Sequence, residues 1–124
     1  MMHIIQVSLC CFSGLKLNLR KCESMMRDGD RKQTIDRVCR DALEKESLDL
    51  QLTILIDEMA QLIHKICSYR REAGPNTPLN EEIVDEIACV KIMIRKLELG
   101  FECEKDVKKA MEIKAEELGE KLGM

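Results

Sequence analysis

Apolar residues recur at the spacing of helices through most of this chain. From about residue 30 onward they return every three or four positions, which is the period of an amphipathic helix. Four segments fit this period, and we predict helices over residues 30–46, 50–71, 78–99 and 103–122. The pattern therefore predicts an all-α fold in the form of a four-helix bundle.

Polar residues at the ends of these segments indicate where the helices begin and end. Asp30 followed by Gln33 is a candidate capping box for the first helix, and Ser47 can cap the second. Between the second and third helices, Gly74 suits a left-handed position after a helix end, and Thr77 can cap the helix that follows. The short connection lets these two helices pack as antiparallel neighbours.

The beginning of the chain follows a different pattern. Apolar and polar residues alternate on both sides of a Ser-Gly pair, which is typical of a β-hairpin. Because a lone hairpin is only marginally stable in water, the alternative is an unstructured extension, with the functional start at Met25 or Met26. We therefore divide the chain into an N-terminal extension, residues 1–29, and a helical domain, residues 30–124.

The third predicted helix is apolar around most of its circumference. A helix of this kind is buried on more than one side, and a single subunit of four helices barely supplies that much cover. A second copy of the chain is the natural cover, since most oligomers are symmetric assemblies of identical subunits. We therefore expect a homo-oligomer, either a dimer or a tetramer.

Composition excludes some classes of function. Charged residues make up 35% of the chain but the formal net charge is only −3, so both signs are mixed. A dedicated nucleic-acid binder needs a clustered basic face, and we expect no nucleic-acid partner. The apolar start has no preceding Lys or Arg and is shorter than the ~20 residues of a membrane span, so we expect neither a signal peptide nor a membrane partner.

The cysteine pattern bears on the cellular compartment. The chain has 7 cysteines and no Cys-x-x-Cys pair, so neither a disulfide framework nor a zinc site is predicted. Cys39, Cys67 and Cys89 fall within helical patterns, where a reduced cysteine behaves as a small apolar residue. We therefore expect a cytoplasmic protein.

Acidic residues on the second and third helices are the candidates for chemistry. Residues three apart share a helical face, so Glu58 points with Gln61, and Glu86 points with Cys89. If the two helices pack antiparallel, these faces can meet. Carboxylates that converge from facing helices are how a bundle holds a hard cation such as Mg²⁺.

These residues also carry a resemblance to a known family. Asp57-Glu58-x-x-Gln61 followed by Glu86-x-x-Cys89 resembles the motif of the all-α MazG-like nucleoside triphosphate pyrophosphohydrolases, which is Glu-Glu-x-x-Glu on one helix and Glu-x-x-Asp on the next. The surroundings are similar as well, over Ile56 to Ile63, Cys67 to Arg71, Glu86 to Met93 and the lysine-rich last helix around Lys114. The resemblance extends over about residues 35–122.

The resemblance implies both an activity and a ligand. The family's chemistry is Mg²⁺-dependent cleavage between the α- and β-phosphates of a nucleoside triphosphate, which yields a monophosphate and pyrophosphate. The metal neutralises the triphosphate and lowers the pKa of the attacking water. A nucleotide is thus the implied small-molecule partner.

Carried over to this chain, the family pattern is incomplete. Glu58 and Glu86 are the implied metal ligands, and Asp57 and Glu58 are the implied catalytic carboxylates. Gln61 and Cys89 depart from the pattern, since an amide has no charge and a thiol suits Mg²⁺ poorly. The resemblance therefore implies a nucleotide-binding protein with weak or lost pyrophosphohydrolase activity. The alternative is an active Mg²⁺- or Mn²⁺-dependent enzyme that tolerates both changes.

Simpler interpretations exist for the same residues. The carboxylates of both motifs can be ordinary surface charges of amphipathic helices. His64 lies on the same helical face as Asp57 and is interpreted as a solvated side chain rather than a ligand. Glu82 and Asp85 form a Glu-x-x-Asp pattern one turn before the motif, about 5 Å along the helix axis, which is too far for them to bind the same ion.

Overall fold

The computed structural model describes residues 28–124, and over this range it contains four α-helices and no strand. The helices are α1 (Asp28–Lys45), α2 (Leu48–Glu72), α3 (Glu81–Gly100) and α4 (Glu104–Lys121). The predicted all-α fold with four helices is confirmed. The predicted β-hairpin lies outside the described residues. None of the described helices has the length and apolar character needed to cross a membrane.

The third helix is the centre of the arrangement, because α1, α2 and α4 all pack against α3. Leu48 at the start of α2 lies against Gly100 at the end of α3, whereas Lys65 further along α2 reaches Glu86 near the start of α3. These two contacts show that α2 and α3 run antiparallel. A Cβ atom at Gly100 would lie only 2.6 Å from Cδ1 of Leu48, so the absence of a side chain permits this close approach.

The apolar core is small and lies mainly between α2 and α3. Its buried centre is Leu55 of α2 with Val90 and Met93 of α3, and three partly buried residues pack around it: Ile54, Leu62 and Leu97. On α1, Cys39 is fully buried and its Sγ donates to the carbonyl oxygen of Ile92 at 3.8 Å. Burial of these side chains supplies the main driving force for packing the helices together.

One face of α2 is not covered by the other described helices. Leu55 of this helix is buried, whereas four other apolar residues are exposed. Those four form the α2 stripe, which consists of Ile56, Met59, Ile63 and Ile66. Ile56 is 69% exposed and Ile63 is 62% exposed. A contiguous apolar surface of this kind is typical of an interaction surface.

The start of α2 agrees with the local prediction. Ser47 has extended backbone angles, and its hydroxyl oxygen accepts a hydrogen bond from the Leu50 amide at 3.1 Å. At the start of α1 the prediction was wrong, because the helix begins at Asp28 and Asp30 lies within its first turn. A carboxylate there still interacts favourably with the positive end of the helix dipole.

The connection between α2 and α3 differs from the prediction. The helix cap is Asn80, whose Oδ1 accepts from the Ile83 amide at 3.0 Å, and the Thr77 hydroxyl instead donates to the carbonyl oxygen of Gly74 at 2.8 Å. The left-handed residue is Asn76, with φ of 64°, rather than Gly74. Asparagine tolerates this conformation better than most residues with a side chain.

Candidate metal centre

Glu58, Glu86 and Cys89 come together at the interface between α2 and α3. Glu58 lies in the middle of α2, and the other two lie three residues apart on α3, which places them on one face of that helix. All three side chains are buried, and one ligand atom from each lies within 4.8 Å of the other two. Two carboxylates and a sulfur atom thus meet between the helices.

Lys65 brings a positive charge to this cluster. Its Nζ lies 2.9 Å from Oε1 of Glu86, and its side chain is 27% exposed while that of Glu86 is fully buried. Two carboxylates with oxygens within 4.8 Å of each other repel by at least about 3.5 kcal/mol at an effective dielectric constant of ~20. The ammonium group offsets part of this repulsion on the Glu86 side.

The second carboxylate oxygen of Glu86, Oε2, has no hydrogen-bond partner among the described residues. A buried carboxylate oxygen without a partner costs folding free energy, and a bound cation is one way to satisfy it. Carboxylate oxygens are the ligands that Mg²⁺ and Mn²⁺ prefer. Glu58 and Glu86 therefore fit a hard divalent cation.

Cys89 does not fit such a cation. The residue is disulfide-bonded in this structure, which corrects the prediction of a reduced thiol. A disulfide requires only that two cysteines approach closely in the fold, so the spacing of cysteines along the sequence does not reveal it. A disulfide sulfur carries no charge, and even a thiolate would be a soft ligand.

Cys39, Cys67 and Cys103 are free, and burial raises the pKa of the Cys39 thiol.

Asp57 lies outside the buried cluster and contacts Gln61, which is half-buried. Gln61 Nε2 donates to Oδ2 of Asp57 at 3.0 Å, and Asp57 is exposed. The amide of Gln61 is thereby engaged by Asp57. Of the five motif positions, Glu58, Glu86 and Cys89 are buried together, Gln61 is half-buried and Asp57 is exposed.

The remaining candidates lie elsewhere. Glu82 and His64 are exposed and Asp85 is half-buried, and none of the three belongs to the buried cluster. Lys114, on α4, is 80% exposed and its Nζ lies 3.7 Å from Oε1 of Glu117. These positions are those expected for surface charges of amphipathic helices.

Two polar residues on α2 were missed by the sequence analysis. Lys65 lies seven residues after Glu58, and Gln51 lies seven residues before Glu58. All three residues therefore lie on one face of the helix. Gln51 is fully buried and its Nε2 donates to Oε1 of Glu46 at 3.2 Å. The spacing of seven was a signal that could have placed both residues on the face of Glu58, although not their contacts.

An open cavity of about 430 Å³ lies between α1 and α3, away from the buried cluster. Four cations and two carboxylates line it together with apolar residues: Arg31, Lys32, Ile35, Asp36, Lys91, Ile92, Arg95 and Glu104. Arg95 is already held by Asp36, Glu98 and Glu104. The guanidinium of Arg95 is engaged by three carboxylates. The cavity is therefore a weaker candidate for an anion-binding site than its four cationic residues alone would indicate.

Comparison of the chain with protein-family models, with curated proteins and with solved structures finds no match in any of the three. The resemblance to the MazG-like family therefore rests on the motif residues and their flanks. The geometry at Glu58 and Glu86 is an independent observation, because it follows from the packing of α2 on α3.

Proposed function

We propose that this chain is a nucleotide-binding protein of the MazG-like kind, with weak or lost nucleoside triphosphate pyrophosphohydrolase activity. The observation that carries the proposal is the pair of buried carboxylates, Glu58 and Glu86, on facing helices. Such pairs hold hard divalent cations in helical bundles, and a cation can in turn bind the phosphates of a nucleotide.

The surroundings of the pair support reduced hydrolysis. Gln61 contributes no charge and contacts Asp57, and Cys89 is part of a disulfide. Lys65 further reduces the negative charge available to a cation. Two carboxylates with a neighbouring ammonium attract a divalent cation less strongly than four carboxylates would, because each lost charge removes Coulombic attraction.

When bound, a divalent cation would neutralise phosphate charge and lower the pKa of a water. Glu58 and Glu86 would hold it. Asp57 precedes Glu58 in the sequence and is exposed, and its Oδ2 accepts a hydrogen bond from Gln61. A carboxylate held in this way can accept a proton from water, which supports the alternative of an active Mg²⁺- or Mn²⁺-dependent pyrophosphohydrolase.

We further propose that the protein is a homo-oligomer, a dimer or tetramer, in which a second copy covers the α2 stripe. Ile56, Met59, Ile63 and Ile66 are spaced by three, four and three residues. This is the spacing of a seam between paired helices. A two-fold axis would bring the same stripe of two copies together, so a single surface serves both partners.

Calorimetric titration tests the proposed metal centre. Mg²⁺ or Mn²⁺ is titrated into the protein, first alone and then with a panel of nucleoside triphosphates, and pyrophosphate release is measured in the same samples. We expect weak cation binding, nucleotide binding that requires the cation, and little or no pyrophosphate. Rapid release of pyrophosphate would support the active alternative.

A matched pair of variants assigns the result to the buried cluster. Glu86→Gln removes a buried carboxylate, and Glu82→Gln removes an exposed one from the same helix. We expect Glu86→Gln to lose cation and nucleotide binding and Glu82→Gln to retain both. Equal binding by both variants would contradict the proposed centre.

A further inference from the structure

The Lys65 side chain contacts the carboxylate cluster and remains partly exposed to solvent. Its Nζ is 2.9 Å from Oε1 of Glu86, and it is the more exposed member of the pair, at 27% against 0%. Lys65 lies two helical turns after Glu58 on the same face of α2. The ammonium group and any cation held by Glu58 and Glu86 would therefore share the Glu86 carboxylate.

An ammonium group and a divalent cation compete in such a site. Both need an oxygen of Glu86, and their positive charges repel each other at a separation of a few ångströms. The lysine has the advantage of being tethered, so its effective concentration at Glu86 is high. A cation must displace it or accept only the remaining oxygen, Oε2, which has no partner among the described residues.

Resting on the proposed metal centre, we propose that Lys65 is a built-in competitor of the divalent cation, which lowers the affinity of the cluster by occupying Glu86. Its long side chain and partial exposure let it move from Glu86 into solvent without disturbing α2. The weak cation binding expected of this chain then has two separable causes. One is the replacement of ligands at positions 61 and 89, and the other is Lys65 itself.

The test is a titration of Mn²⁺ into the full chain, with free Mn²⁺ followed by electron paramagnetic resonance. Lys65→Met removes the ammonium group and keeps a long apolar side chain, and Lys91→Met removes the charge of an exposed lysine on α3. We expect Lys65→Met to bind Mn²⁺ on the order of tenfold more tightly than the parent, which corresponds to one charged contact. Lys91→Met should match the parent to within about twofold.

The outcomes separate this inference from the proposed function. Equal Mn²⁺ affinity in the parent and in Lys65→Met would overturn the role of Lys65 and leave the metal centre intact. Absence of binding in the parent and in both variants would overturn the metal centre and this inference with it. Weaker binding in Lys65→Met would also refute competition, since it would show that the lysine supports the cation.

Lys65→Met leaves Glu86 buried without the ammonium group that pairs with it, and this variant could fail to fold. A second measurement therefore uses the parent protein. An amine-acylating reagent is applied with and without Mn²⁺, and modification of individual lysines is followed by peptide mass spectrometry. We expect Mn²⁺ to accelerate acylation of Lys65 relative to Lys91, because the displaced ammonium enters solvent. An unchanged ratio at saturating Mn²⁺ would refute the proposal.

Discussion

Arg95 binds Asp36 through two parallel hydrogen bonds and thereby joins α3 to α1. Nε lies 2.7 Å from Oδ1 and Nη2 lies 2.9 Å from Oδ2. Both side chains are largely buried, and Nη1 also contacts Glu98 and Glu104. Bidentate pairs of this kind are stronger than ordinary ion pairs, because geometry and charge act together.

Asp36→Asn should destabilise the fold. The change removes the charge that pairs with Arg95 and leaves a partly buried guanidinium with fewer partners, so we expect a loss of about 1–3 kcal/mol in the free energy of unfolding. Chemical denaturation followed by circular dichroism measures it. Asp41→Asn, at an exposed position on the same helix, should change stability by less than about 0.5 kcal/mol. Equal effects would show that the pair adds nothing specific.

The same pair should make stability depend on acid. Hydrogen bonds from Arg95 hold the pKa of the Asp36 carboxyl below its usual range, against the opposing effect of burial. A group with a lowered folded-state pKa stabilises the fold above its unfolded pKa, about 3.9, and this contribution is lost as pH falls through the folded value. The stability difference between the parent and Asp36→Asn should therefore shrink in strong acid. Denaturation curves at a series of pH values would show this, and a constant difference would contradict it.

Installing the MazG-like carboxylates at positions 61 and 89 should create a stronger metal centre. Gln61→Glu with Cys89→Asp places four carboxylates on facing helices, so without metal the charges repel and the melting temperature should fall. Added Mg²⁺ should raise it again, because a ligand of the folded state stabilises that state. Either single substitution should change the response of the melting temperature to Mg²⁺ much less. Pyrophosphate release from a nucleoside triphosphate should appear or increase in the double variant.

The control for that experiment is Gln61→Glu with Cys89→Ser, which also removes the disulfide but adds only one carboxylate. Its melting temperature should respond little to Mg²⁺. If the Cys89→Asp double variant responds no more than this control, positions 61 and 89 do not act together with Glu58 and Glu86.

Ile63→Glu should dissociate the proposed oligomer. Ile63 is exposed in the single subunit, so the change should leave the helical circular dichroism signal intact while placing a charge in the proposed seam. Sedimentation at micromolar concentration should give an oligomer for the parent and a monomer for the variant. Ile113→Glu, at an exposed position on α4, should remain oligomeric. A monomeric parent would rule the seam out.

The helices were predictable because their signals are local. Ser47 could be identified as a cap since its hydroxyl has only to reach the amide of Leu50. The start of α3 could not be located in this way, because Thr77 and Asn80 are both good caps. In the structure the hydroxyl of Tyr69, on the preceding helix, donates to the carbonyl oxygen of Thr77. Such a contact cannot be inferred from the loop sequence alone.

The candidate site was predictable only in part, for a similar reason. Glu86 and Cys89 share a face on any helix, because they are three residues apart. That Glu58 meets them, and that Lys65 rather than Gln61 contacts Glu86, depends on the register between α2 and α3. This register results from packing along the whole interface, and no single spacing in the sequence encodes it.

The apolar core and the buried cluster both include residues of α3. Their relative orientation therefore depends on the number of residues between them on that helix. Met93 is fully buried in the core, and Glu86 lies seven residues earlier on the same helix. Each residue turns an α-helix by about 100°, so one residue inserted between them would rotate Glu86 away from Glu58 while Met93 keeps its place. The same insertion before Thr77 would only lengthen the connection. The connection before α3 can therefore change in length, whereas only insertions or deletions of whole helical turns between Met93 and Glu86 would retain the cluster.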